Sequence, residues 1–86
     1  MRYLVQIGRV RTMIDNSVTA AKEARTFAKT LSSEGNSNDI AYIYQELAPS
    51  VEGGFQAAGS RWRAYEAYRA GRKHLGAYAD YPAPLV

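Results

Sequence analysis

The chain has 86 residues, 47% of them hydrophobic, and a formal net charge of +3 at pH 7. This length supports a single small domain, 1–86, with one thin core. The absence of cysteine excludes disulfides, thiolate nucleophiles and cysteine-ligated zinc. No apolar run reaches the roughly 20 residues of a membrane-spanning helix, and the N-terminal residues lack a signal-peptide pattern. We therefore expect a cytoplasmic protein with no membrane partner.

The first predicted element is a β-strand. Tyr3, Val5 and Ile7 alternate with more polar positions, which is typical of a strand with one buried face. Gly8 interrupts the alternation and predicts a bulge or bend. Residues 11–14 either extend this strand or turn back as a short second one.

Residues 17–33 are predicted to form a helix. Asp15, Asn16 or Ser17 can cap its first turn, and Gly35 ends it. Its apolar positions recur at helical spacing and are small at the start and bulky at the end: Ala20, Ala24, Phe27, Ala28 and Leu31. The alanine-rich part would let the helix lie close to a sheet.

Two later segments, 38–47 and 60–74, fit either a strand or a helix. Isoleucine and tyrosine dominate the first, which favours a strand. In the second we favour a hairpin that turns at Gly71, continues as a return strand to residue 78 and leads into an extended tail over 81–86. As a regular strand, it would place two sets of side chains on opposite faces: Trp62, Ala64, Glu66 and Tyr68 against Arg61, Arg63, Tyr65 and Arg69.

Together these elements predict an α+β fold, a small antiparallel sheet of three to four strands with the helix 17–33 packed on one face. The alternative is an all-α fold with a long N-terminal helix over 2–33, because eight positions follow a heptad-like spacing: Tyr3, Ile7, Val10, Ile14, Ala21, Ala24, Ala28 and Leu31. Glycine and aspartate–asparagine within that range argue against it, since they prefer turns and caps.

Positive charge is concentrated in residues 59–78. Five of the eleven cationic residues lie there with only one of the eight acidic residues, Glu66. A localised basic segment with aromatic residues predicts a polyanionic partner, either nucleic acid or an acidic protein surface. The predicted binding residues are Arg61, Arg63, Tyr65, Arg69, Arg72 and Lys73.

Trp62 and three cationic residues of the predicted helix are interpreted as structural rather than as binding residues. Trp62 is predicted to lie in the core, because a small domain needs its largest side chain inside. Lys22, Arg25 and Lys29 share one helical face, which we assign to solvent.

Catalysis is not indicated. His74 is the single histidine and has no cysteine partner, and no acidic or histidine residues have metal-ligand spacing. No glycine-rich segment has the context of a phosphate loop. We expect a non-catalytic binding protein with no cofactor, no metal and no small-molecule substrate.

The basic segment resembles the three-stranded sheet of the ethylene-response-factor DNA-binding domain and of related phage integrase domains. The matching residues follow that family's strand–turn–strand pattern: Gly59, Trp62, Ala64, Gly71, Lys73, Leu75 and Gly76. The resemblance implies DNA contacts by Arg61, Trp62, Arg63 and Arg69. In that family an amphipathic helix follows the sheet, whereas residues 81–86 here contain two prolines.

The whole chain resembles small phage and mobile-element accessory proteins of the anti-CRISPR type, which combine a strand, an alanine-rich helix and further strands. This resemblance implies an alternative function, a protein-directed inhibitor of a host defence complex that does not bind DNA itself. A phage-encoded protein of this kind would act in the host cell cytoplasm. A second alternative is a small structural virion component, which would fit the all-α fold.

Overall fold

A computed structural model describes residues 2–15, 18–36, 38–47, 55–57 and 60–85. Within them, one α-helix packs against an antiparallel sheet of six strands. The elements in chain order are β1 (Tyr3–Ile7), β2 (Val10–Ile14), α1 (Ala20–Glu34), β3 (Ile40–Leu47), β4 (Phe55–Ala57), β5 (Ser60–Arg69), β6 (Arg72–Lys73) and a short 3-10 helix (Tyr78–Asp80). The predicted α+β class is confirmed, although the sheet has more strands than expected.

The long N-terminal helix over 2–33 is wrong, because β1 and β2 form a hairpin in its place. Gly8 and Arg9 make the two-residue loop, and Gly8 has a φ of +57°. A positive φ at the first loop position suits the tight hairpin turns whose twist matches that of the strands. Residues 11–14 therefore belong to a second strand, one of the two outcomes left open by the sequence.

The sheet order is β2–β1–β3–β5–β4, with β6 also paired to β5. β3 and β5 are the longest strands and form its centre. β4 pairs with residues 60–62 of β5, whereas β6 pairs with its other end, at residues 68 and 69. Both segments that were ambiguous in the sequence form strands, as we favoured. Segment 38–47 contains β3, and segment 60–74 contains β5 and β6.

Helix α1 covers one face of the sheet, here called the helix face. Ala20, Ala24 and Ala28 are buried against Val5 and Ile43 of the sheet. Small side chains let the helix backbone lie close to the strands. The bulkier apolar residues of the helix, Phe27 and Leu31, lie at its flanks and are only half-buried.

The helix spans Ala20–Glu34, slightly later than the predicted 17–33. Thr19 is its N-cap residue, and its hydroxyl donates to the Glu23 carboxylate at 3.1 Å. The proposed cap Asp15 lies before the helix, while Asn16 and Ser17 lie outside the described residues. Gly35 ends the helix as predicted, and its N–H donates to the Leu31 carbonyl. Across the described chain, no helix has the length and apolar character needed to cross a membrane.

The opposite face, here called the tail face, is covered by residues 78–85. Tyr81 is buried against Tyr44, which donates a hydrogen bond to the Pro82 carbonyl. Gln6 of β1 binds the backbone of Ala83 and Leu85. The packing of Tyr81 against the sheet gives the small domain a second core on the tail face. The predicted return strand over 73–78 is mostly wrong, because regular pairing stops at Lys73.

Candidate functional site

The basic segment forms a hairpin of β5 and β6, here called the basic hairpin (residues 60–73). Its turn consists of Ala70 and Gly71, with φ values of +51° and +77°. Two consecutive positive φ angles are typical of a type I′ turn, which matches the twist of paired strands. The Gly71 N–H donates to the Ser32 hydroxyl at 3.0 Å, so the turn is attached to the end of α1. The predicted turn position is therefore correct.

A β-bulge in β5 changes which side chains share a face. Ile43 pairs with Glu66, but Tyr44 pairs with Ala64, so Tyr65 is the extra residue. Before the bulge, Trp62 and Ala64 point to the tail face; beyond it, Glu66 and Tyr68 point to the helix face. The predicted common face of Trp62, Ala64, Glu66 and Tyr68 is therefore wrong, because one inserted residue reverses the alternation of side chains.

The same bulge separates the predicted binding arginines. Arg63 pairs with Gln45 and lies on the helix face. Arg69 pairs with Ile40 and lies on the tail face. The predicted common face of Arg61, Arg63, Tyr65 and Arg69 is therefore wrong. The backbone of Arg61 belongs to β5, and its side chain lies outside the described residues.

Arg63 is exposed on the helix face of β5. Its Nη2 donates to the Gln45 side-chain oxygen, and the Gln45 amide in turn donates to the Tyr3 hydroxyl at 3.2 Å. A neutral amide orients the guanidinium without neutralising it. Within the described residues, Arg63 has no carboxylate within ion-pair distance.

Arg72 and Lys73 are exposed on β6, opposite Arg69 and Tyr68 respectively. Neither Arg72 nor Lys73 lies within ion-pair distance of any carboxylate in the part of the chain that the structure describes. On the helix face, the ammonium of Lys29 lies 5.7 Å from the centre of the Tyr68 ring. The hairpin end therefore carries positive charge on both faces of the sheet.

The acidic residues of the central strands are bound by arginines from other elements. Arg2 forms a bidentate ion pair with Glu46, in which Nε lies 3.0 Å from Oε1. Hydrogen bonding to Glu46 raises the pKa of Arg2. Arg25 of α1 pairs with Glu66 at 3.2 Å. Glu66 also accepts a hydrogen bond from Tyr68 at 2.9 Å. The one acidic residue of segment 59–78 is thus paired with a cation from outside it.

The assignment of Arg25 to solvent is wrong. Its Nη2 also donates to the Tyr65 hydroxyl, and its guanidinium lies 5.5 Å from the centre of the Tyr65 ring. No spacing in the sequence links these positions, which are 40 residues apart. The only available signal is that Glu66, the sole acid in a basic segment, needs a cationic partner once it is half-buried.

The aromatic side chains of β5 are packed inside the protein. Trp62 is 1% exposed, which confirms its predicted place in the core, and Tyr68 is 3% exposed. Burial, followed by the hydrogen bond to Glu66, raises the pKa of Tyr68 to about 12. Tyr65 is half-buried, and its ring lies 5.2 Å from that of Tyr3 in an edge-to-face contact. Base stacking on β5 would therefore require the core to open.

The remaining candidate for chemistry is His74. It is half-buried after β6, and its backbone N–H donates to the Ala67 carbonyl. Among the described residues, no three histidine or acidic side chains come together as a metal site would require.

No protein-family model matches this sequence, and no curated protein or solved structure is significantly similar to it.

Proposed function

We propose that this protein is a non-catalytic nucleic-acid-binding protein that contacts the phosphate backbone through the basic hairpin. The observation that carries the proposal is the placement of Arg63, Arg72 and Lys73. All three are exposed on the basic hairpin, Arg63 on β5 and the other two on β6, without a carboxylate partner among the described residues. Exposed, uncompensated cations along one edge attract a polyanion.

The dimensions of the hairpin support this proposal. Arg63 and Arg69 pair with Gln45 and Ile40, which are five residues apart on β3, and this separation corresponds to roughly 17 Å. Phosphates on one DNA strand rise by about 3.4 Å each along the helix axis, so this length matches about five nucleotides. Because Arg63 and Arg69 lie on opposite faces, the sheet edge rather than either flat face would meet the backbone.

The packing of the aromatic residues supports a sequence-independent mode. Phosphate contacts position a protein without reading sequence, whereas recognition of single strands relies on stacking against exposed rings. Trp62 and Tyr68 are buried, and the Tyr65 hydroxyl is bound by Arg25. Binding would therefore depend on charge and change little with base composition.

The test is a titration against random duplex DNA at several salt concentrations. Each neutralised phosphate adds about 0.9 to the slope of log affinity against log salt. Contacts by Arg63, Arg69, Arg72 and Lys73 would give a slope of roughly 3 to 4, and Arg63→Gln should reduce it by about one. Lys22 is exposed on α1, outside the basic hairpin. Lys22→Gln removes one positive charge, as Arg63→Gln does, and should leave the slope unchanged.

Tryptophan fluorescence adds a second readout. Trp62 is the only tryptophan and is buried, so its emission should not be quenched when DNA binds. Quenching together with a salt-insensitive affinity would indicate stacking on a rearranged core and would contradict a phosphate-directed mode.

The second candidate is an inhibitor or adaptor that docks on an acidic protein surface. Four of the five cations in 59–78 are arginines, whose planar guanidinium suits carboxylates as well as phosphates. The absence of DNA binding at low salt would contradict our proposal and favour this candidate. The virion-component alternative would fit better with a helix over 2–33, which the β1–β2 hairpin replaces.

A further inference from the structure

The outer edge of β2 is open in the described chain, since β1 is its one partner strand. Val10 and Met13 on this strand are 61% and 37% exposed. Natural edge strands usually carry prolines, bulges or several charges that prevent further pairing. β2 contains none of these except Arg11, and the Arg11 guanidinium is directed to the Leu85 carbonyl at 2.7 Å.

The hairpin geometry determines which backbone groups of β2 face outward. Ile7 and Val10 flank a two-residue loop, so Val10 donates to Ile7 across the turn. Backbone groups alternate in direction along an antiparallel strand. Val10, Thr12 and Ile14 therefore bond to β1, and Arg11 and Met13 present their N–H and C=O groups at the open edge.

We propose that β2 pairs antiparallel with β2 of a second copy of this chain, about a twofold axis at Thr12. In this register Arg11 lies opposite Met13 of the second copy, and both present outward backbone groups. Val10 lies opposite Ile14 of the second copy. Thr12 faces its own equivalent, and such threonine pairs are favourable across strands.

Other symmetric registers that match outward groups are less favourable. Centring the axis on Arg11 would place two arginines directly opposite each other, which is destabilising. Centring it on Met13 would leave Val10 and Arg11 without a partner in β2 of the second copy. The register at Thr12 uses all of β2.

Charge complementarity supports the Thr12 register. It brings Arg9, in the hairpin loop, beside Asp15 of the second copy, and the twofold axis repeats this pair at the other end. Both residues are exposed in the single chain. The basic hairpin lies at the far edge of the sheet, so the like-charged segments of the two copies stay apart. The proposal is independent of nucleic-acid binding.

The first experiment uses charge reversal at the paired positions, with sedimentation equilibrium as the measurement. Arg9→Asp and Asp15→Arg should each weaken self-association roughly tenfold or more, because two ion pairs become two repulsions. An equimolar mixture of the two variants should form a heterodimer, since each contact then joins opposite charges. Circular dichroism of each variant alone verifies that the fold is intact.

Amide hydrogen exchange gives a position-specific second measurement. The Arg11 and Met13 amides should become protected as protein concentration rises, whereas Thr12 should be protected at all concentrations by β1. A wild-type chain that stays monomeric at high concentration, with rapid exchange at Arg11 and Met13, would overturn the proposal. So would a mixture of the charge variants that associates no better than either alone.

Discussion

Arg25 of α1 reaches Glu66 of β5, with 3.2 Å between Nε and Oε2, and the same guanidinium donates to the Tyr65 hydroxyl. One side chain therefore binds both residues at the β-bulge and joins the helix to the central strand. The contact lies at the point where the side chains of β5 change direction.

The first prediction concerns Arg25→Gln. Its removal leaves the half-buried Glu66 carboxylate with Tyr68 alone as a described partner, so the free energy of unfolding should fall by about 1–2 kcal/mol. The partial exposure of the pair limits the effect. Lys22→Gln, one turn away and exposed, is the control and should change stability by less than about 0.5 kcal/mol. Urea denaturation compares them, and equal losses would contradict a specific role for Arg25.

The second prediction concerns the turn of the basic hairpin. Ala70 adopts a φ of +51°, a conformation that is unfavourable for residues with a Cβ other than asparagine and aspartate. Ala70→Asn should therefore raise the free energy of unfolding by about 0.5–1 kcal/mol.

Gly71→Ala is the counterpart at the same turn. It should destabilise the protein, because φ is +77° and the new Cβ would lie 3.2 Å from the Ser33 Cβ. Thermal unfolding of both variants is the measurement. Destabilisation by Ala70→Asn would mean that the turn is not type I′.

The third prediction compares two positions on α1. Phe27 is half-buried, so Phe27→Ala should cost about 1–2 kcal/mol, less than the 3–5 kcal/mol expected for a fully buried ring. Ala24 is fully buried against the sheet, and Ala24→Leu would force the helix outward at a cost of about 1–3 kcal/mol or more. Denaturant unfolding of each variant gives these values. A larger loss for Phe27→Ala than for Ala24→Leu would contradict packing through the alanines.

The fourth prediction concerns alkaline pH. Burial raises the pKa of Tyr68 and of Tyr81 to about 12, and it raises the pKa of Tyr44 as well. Between pH 10 and 12 the folded protein therefore holds protons that the unfolded chain releases. Stability should be complete below pH 10 and fall above it, by about 1.4 kcal/mol per pH unit for each such tyrosine.

Denaturation midpoints between pH 8 and 11.5 measure this decline. Tyr68→Phe removes one titrating group and should make the decline less steep. Ultraviolet titration of the folded protein should show these phenols ionising late, and ionisation of all seven tyrosines near pH 10 would contradict their burial.

The sequence predicted the elements whose periodicity is uninterrupted. β1, α1 and the turn at Gly71 follow from alternation, helical spacing and glycine placement, which depend on neighbouring residues alone. The six-strand order could not be predicted in this way, because pairing β1 with β3 depends on contacts between distant residues.

The candidate site was only partly predictable for the same reason. Charge density identified the hairpin that contains Arg63, Arg72 and Lys73. The extra residue Tyr65 has no local signature, so simple alternation placed Arg69 on the wrong side. The pairing of Arg25 with Glu66 also depends on tertiary structure.

The covering of the tail face has a consequence for the order of folding. Its hydrogen bonds join Gln6 and Arg11 to residues 83 and 85, across sequence separations of 74 to 79 residues. Contacts of such long range are entropically costly to close and slow folding. The helix-face core is formed by β1, β2, α1, β3 and Tyr68 of β5, so it can assemble before these contacts close. Tyr44 and Leu4 belong to the core that residues 78–85 cover, so we expect a chain in which this segment is undocked to aggregate through the tail face.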